Sequence, residues 1–175
     1  MDEDANEDGD AASTLSVAEF VTYCRTQAGL LSGQVQTMGD EANKLLADVD
    51  EQVTEIRSRL EQHREGGPGT ASPSSTAGPN SDVLDVDELE ALQDDLEKKQ
   101  SLVEAKQARM EAFQELAAGY TDLAEELETA VDDGATAFER VVQFEADADA
   151  PAYFPERKTL VEAAAESDDD PSTPE

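Results

Sequence analysis

The sequence predicts an all-α protein: a long antiparallel two-helix coiled-coil hairpin with a flexible Gly/Pro/Ser tip and a small C-terminal helical cap. Three observations carry that reading. Two long stretches repeat apolar residues at alternating spacings of four and three, as a heptad seam requires. Between them runs "REGGPGTASPSSTAGPNSD", residues 64–82, with no aliphatic side chain larger than alanine. Only eight of 175 residues are aromatic and Trp is absent, so the core is small or elongated.

Residues 1–15 read as a disordered acidic N-terminus. Within them Asp4, Asn6, Asp8, Gly9 and Asp10 start a calcium-loop pattern, but Leu15 stands where the bidentate glutamate belongs. No metal and no cofactor is expected.

The first hairpin helix is expected over 16–65. Its seam runs from Val17, Val21 and Cys24 through Leu31, Met38 and Leu45 to Val49, then shifts phase by one extra step of four to reach Val53, Ile56 and Leu60. Ser16 and Glu19 form a capping box, Leu15 and Phe20 occupy staple positions, and Gly66 with Pro68 mark the end. The flexible tip linker is 66–84. Fully extended, its 19 residues span about 63 to 68 Å, whereas a helix of about 50 residues is roughly 75 Å long. A fully aligned parallel pair within one chain is therefore excluded, and an antiparallel hairpin remains.

The second hairpin helix is expected over 85–145, with Asp85 and Glu88 as its cap, Leu84 and Leu89 as its staple, and a bend or break near 132–134 at "DDG". Its seam passes Leu89, Leu92, Leu96, Lys99, Val103 and Lys106, then Met110, Phe113, Ala117, Tyr120, Ala124 and Leu127. In antiparallel register, positions 24 and 124, 28 and 120, 31 and 117, and 45 and 103 share a constant sum of 148. At that register Ala28 faces Tyr120 and Leu31 faces Ala117, so large opposes small, as interdigitating layers require. Lys99 and Lys106 within the seam are polar register devices whose stems snorkel toward acids. A C-terminal capping segment follows over 146–166, with Pro155 opening a short helix that carries Leu160, Val161 and Ala164 on one face. Residues 167–175 read as a disordered acidic tail.

Six of the eight aromatics, Phe20, Tyr23, Phe138, Phe144, Tyr153 and Phe154, fall at the open end of this hairpin. With Leu160 they are the candidate protein-interaction residues. Two readings compete: a local core in which the C-terminal segment folds back over the helix ends, and exposed aromatic anchors for another protein. A second apolar edge, Leu102, Leu116 and Leu123, offers a surface to a partner helix or to a second copy in a homodimer.

Charge narrows the partners. Forty-three acidic against twelve basic residues give a net charge of −31, which repels nucleic acid and anionic membranes, so neither is expected as a ligand. The excess is not confined to the termini. Segments before residue 16 and after residue 144 contribute −6 and −8, leaving −17 between them. Five lysines against seven arginines, abundant Asp, and Ala, Val and Thr in place of bulky apolar residues resemble the proteins of salt-in halophiles. The acidic N-terminus has no apolar run of the kind a signal peptide needs, and a cytoplasmic location is expected.

No phosphate loop, nucleophile elbow or zinc spacing occurs. Cys24 lies on the apolar seam and His63 among charged residues. The expectation is a non-enzymatic coiled-coil interaction or scaffold protein of a halophile-type acidic proteome; the alternative is a chaperone-like holdase for unfolded clients.

Overall fold

Ser16 opens the first helix through the expected box: its N–H donates to Glu19 Oε2 at 2.7 Å and the Glu19 N–H donates to Ser16 Oγ at 3.4 Å. The structure, a computed structural model, describes residues 16–65 and 86–168. The acidic N-terminus, the tip with the cap and staple at 84–85, and the end of the tail lie outside the described residues. Among those described, every regular element is helical: α1 (Val17–Glu65), α2 (Val86–Ala130), α3 (Gly134–Asp147), a 3-10 turn (Ala150–Tyr153) and α4 (Leu160–Asp168). The long helices α1 and α2 pack antiparallel as a helical hairpin. The described residues divide into two compact units, 16–35 with 111–168, and 36–65 with 86–110.

In the second unit, 36–65 and 86–110, polar contacts fix direction and register. Lys106 donates to Glu41 at 2.5 Å, Gln52 to Asp95 at 2.5 Å, and Arg59 to Glu88 at 3.0 Å. One number rises as the other falls, so the segments are antiparallel. Each pair lies one short of the constant sum of 148, which is the register that large-against-small packing requires. Lys99, also in the seam, reaches Asp95 at 3.1 Å. Two helices alone leave this seam half open: Met38, Ala42 and Val103 are buried, but Leu45, Val49, Val53 and Ile56 are only partly so.

The first unit, 16–35 and 111–168, closes its seam with a further layer. Tyr120 and Leu31 reach 0 % exposure, as do Leu127, Ala137 and Val141. Each large side chain so buried contributes about 1.5 to 3 kcal/mol.

The layer forms because the chain breaks. α2 ends at Ala130 and Asp133 caps a separate α3 from an extended conformation (φ −129°, ψ 147°), accepting from Thr136 N at 3.0 Å and Thr136 Oγ1 at 2.6 Å. Those bonds hold the Asp133 carboxyl below the ordinary carboxylate range. The segment "DGAT" therefore stops one helix and starts another, rather than bending a single helix through to 145.

α3 then folds back along α2. The Phe144 ring sits over Gly119 so closely that a Cβ there would lie 2.8 Å from both Cε2 and Cζ. Asp149, in the left-handed region (φ 50°, ψ 40°), reverses the chain after α3. Tyr153 and Phe154 then follow the same side of α2, meeting Phe113 and Tyr120 with ring centroids 5.0 and 6.3 Å apart.

Two expectations are corrected here. The last helix starts at Leu160, not at Pro155, because Thr159 and Glu162 form a capping box: Thr159 N and Oγ1 donate to Glu162 Oε2 at 2.9 and 3.2 Å. Pro155 lies in the exposed turn before it. The apolar edge Leu102, Leu116 and Leu123 is not one surface either. Leu116 and Leu123 are buried in the first unit, whereas Leu102, in the second, is 47 % exposed.

Candidate functional site

The densest chemistry lies in the first unit, where α1, α2, α3 and α4 meet. Phe20 is buried, with its ring 6.1 Å from that of the half-buried Phe138. Tyr120, wholly buried, is the hub: Tyr23, Phe144 and Phe154 approach it edge-on at 6.5, 4.9 and 6.3 Å. Offset and edge-to-face pairs of this kind add to the stabilisation from area burial alone. Tyr153 packs on Phe113 and is half-buried; Phe154 is buried. Leu160 is half-buried, and its N–H donates to Tyr23 Oη at 3.3 Å.

The structure thus gathers the seven candidates into one unit and joins to them Phe113 and Tyr120, which the heptads alone placed along the hairpin seam. The rings pack on one another edge-on or tilted, and Phe20 and Phe154 are core.

At the centre is a residue that the pattern of the chain concealed. Glu145 on α3 has no exposed surface. Tyr23 from α1 and Tyr120 from α2 donate their hydroxyls to its Oε1 at 2.6 and 2.8 Å, and the Val161 N–H from α4 donates to its Oε2 at 2.8 Å. Tyr23 Oη in turn accepts from Gln27 Nε2 at 3.1 Å, and Gln27 is itself buried. One carboxylate on α3 therefore ties together the three other helices of the unit.

Burial, followed by the neighbouring Glu145, pushes both tyrosines well above the ordinary phenol range, so their hydroxyls stay protonated donors. Burial, with the Glu145 charge second, pushes the Cys24 thiol up to about 12. Such a thiol is a small apolar filler rather than a nucleophile.

The arrangement is that of a polar anchor. Glu145 takes up three donors with its two oxygens, and charged acceptors form the stronger class of hydrogen bond. Among the described residues, no group of three or more His, Cys, Asp or Glu is placed to hold a metal ion, and no helix is long and apolar enough to cross a membrane. His63 is exposed in the last turn of α1. No family model, curated protein or solved structure matches this chain.

Two polar members of this site, Glu145 and Gln27, escaped the reading of the sequence. Glu145 did leave a trace: with Ala137 and Val141 it repeats every four residues on the face that α3 buries. In a chain with forty-three acidic residues, one Glu on an apolar stripe carries little information. Gln27, flanking the seam beside Ala28, looks like any surface polar residue.

Proposed function

We propose that this protein is a non-enzymatic coiled-coil interaction or scaffold module, acting in the cytoplasm of a halophile-type cell on another protein. The observation that carries the reading is a division of labour among apolar side chains. In the first unit the aromatics and their carboxylate bind the chain's own helices. In the second unit Leu46, Leu60, Leu102 and Val86 remain 42 %, 44 %, 47 % and 61 % exposed, against Leu30 alone, at 38 %, among the described large apolar residues of the first. Large exposed aliphatics on a helical surface are what a partner helix or groove takes up. The net charge of −31 favours a partner with a basic face and disfavours nucleic acid.

The test is a crosslinked pull-down at native salt from the native cells with full-length protein, comparing wild type with Leu46→Ser/Leu60→Ser/Leu102→Ser and with Tyr153→Ser/Leu160→Ser. A stoichiometric partner lost only with the leucine triple is the expected result. Loss only with the Tyr153/Leu160 variant would move the interface to the first unit, and recovery of no stoichiometric protein would end the scaffold reading. One observation favours the holdase alternative: the three leucines stand apart in sequence rather than forming a heptad stripe of their own. Suppression of client aggregation at molar KCl, with a diffuse client set, is its signature.

A further inference from the structure

We infer that α4 is a detachable strap, latched over the first unit by the buried carboxylate of Glu145. The anchoring of the chain changes character at one point. Up to Phe154 it is apolar: Ala150 has no exposed surface, Phe154 packs on Tyr120, and Tyr153 packs on Phe113. Then Pro155, Glu156, Arg157 and Lys158 are all exposed, a natural hinge. Beyond it polar contacts join the apolar ones. Thr159, 1 % exposed, caps the helix, while the N–H groups of Leu160 and Val161 donate to Tyr23 Oη and Glu145 Oε2. The apolar side chains of α4, Leu160, Val161 and Ala164, are only half-buried, and its ion pair Lys158–Glu166 is exposed.

At nine residues α4 is too short to hold helical structure by itself in water, so its order depends on being docked. Its N-terminal N–H groups can exchange Tyr23 and Glu145 for water, and none of its three apolar side chains is fully buried. Elements with few buried apolar contacts open locally, below the free energy of global unfolding. Opening uncovers the Glu145 carboxylate and the Tyr23 hydroxyl while Phe144, Phe154 and Phe138 keep the rest of the unit closed. Glu145 sets the balance, since it alone joins α4 to both long helices through one side chain.

The test is hydrogen exchange on the full-length protein, wild type against Glu145→Gln and Thr159→Ala. Glutamine has one acceptor oxygen, so either the tyrosine pair or the Val161 N–H loses its acceptor. Exchange over 160–168 should rise roughly 10- to 100-fold, the equilibrium effect of leaving one or two buried donors unpaired. Segments 20–27 and 116–127 should keep their protection. Thr159→Ala removes only the cap of α4 and should give the same local pattern without touching the carboxylate. Unchanged exchange over 160–168 in Glu145→Gln overturns the inference. So does equal acceleration across the whole unit, which would make Glu145 a support of the core rather than a latch, and so does an α4 already unprotected in the wild type.

Discussion

Replacing Gly119 by alanine sets two effects of known size against each other. In an exposed helix interior the change stabilises by about 1 kcal/mol, because glycine has the larger backbone entropy to lose. At Gly119 the added Cβ would stand 2.8 Å from two carbons of the Phe144 ring, well inside ordinary van der Waals contact. On one side the ring is bounded by Tyr120, 4.9 Å away and itself bonded to Glu145. Overpacking of this kind costs about 1 to 3 kcal/mol. Gly29 supplies the control: a Cβ there meets nothing within 4 Å. Both variants carry the same helix-propensity gain, so the difference between them isolates the steric cost, about 1 to 3 kcal/mol, with Gly29→Ala above wild type and Gly119→Ala at or below it. The assay is urea unfolding at molar KCl followed by near-ultraviolet circular dichroism. The chain has no Trp, and its three tyrosines, Tyr23, Tyr120 and Tyr153, all belong to the first unit, so the signal reports that unit alone. Phe144→Leu combined with Gly119→Ala should recover part of the loss. Equal stabilisation by Gly119→Ala and Gly29→Ala would refute the packing of α3 on α2.

Three further outcomes follow from the same geometry. Cys24, 0 % exposed and with its thiol pushed up to about 12, should react with a disulfide reagent at pH 8 on the order of 1,000-fold more slowly in native than in unfolded protein; comparable rates would show that the first unit is open. Asp149→Gly should stabilise the protein by up to about 1 kcal/mol, because φ 50° costs an L-residue what it does not cost glycine, and a lower melting temperature would show that the side chain has a use the backbone does not reveal. Raising KCl from 0.1 to 1 M shortens the Debye length from about 10 to about 3 Å, so far-ultraviolet helicity should rise with salt in a chain of net charge −31; helicity that is flat across that range would remove the halophile reading.

The long helices were legible because their information is periodic. A seam of apolar residues repeats over many turns, and a single misread position does not disturb it. Register was legible for a related reason: the alignment that sets large against small at Ala28 with Tyr120 and Leu31 with Ala117 lies within one position of the Lys106–Glu41, Gln52–Asp95 and Arg59–Glu88 contacts of the second unit. The third layer was less legible, because its signals are single events. Asp133 and Thr136 cap a new helix in one short motif, and Thr159 and Glu162 do so in another, each easily overlooked beside a more conspicuous Gly134 or Pro155. The carboxylate was hidden for a different reason. Whether a glutamate is buried depends on donors that arrive from distant parts of the chain. Tyr23 is separated from Glu145 by 122 positions and Val161 by 16, and no local pattern encodes that meeting.

The use of a buried glutamate, rather than a leucine, at the junction of four helices has a physical rationale. Replacing a buried, fully bonded charge by a well-packed apolar group is often neutral or stabilising, so Glu145 is a weak argument for stability. It is a stronger argument for specificity. An apolar side chain at 145 would accept any packing of α4 that covers it, whereas a carboxylate requires two phenol donors and an amide donor in fixed places. In a chain this poor in large apolar residues, loose hydrophobic collapse would leave the position of α4 undetermined. The carboxylate selects one docked arrangement, and because its contacts to α4 can be exchanged for water, it selects that arrangement while leaving the short helix free to detach.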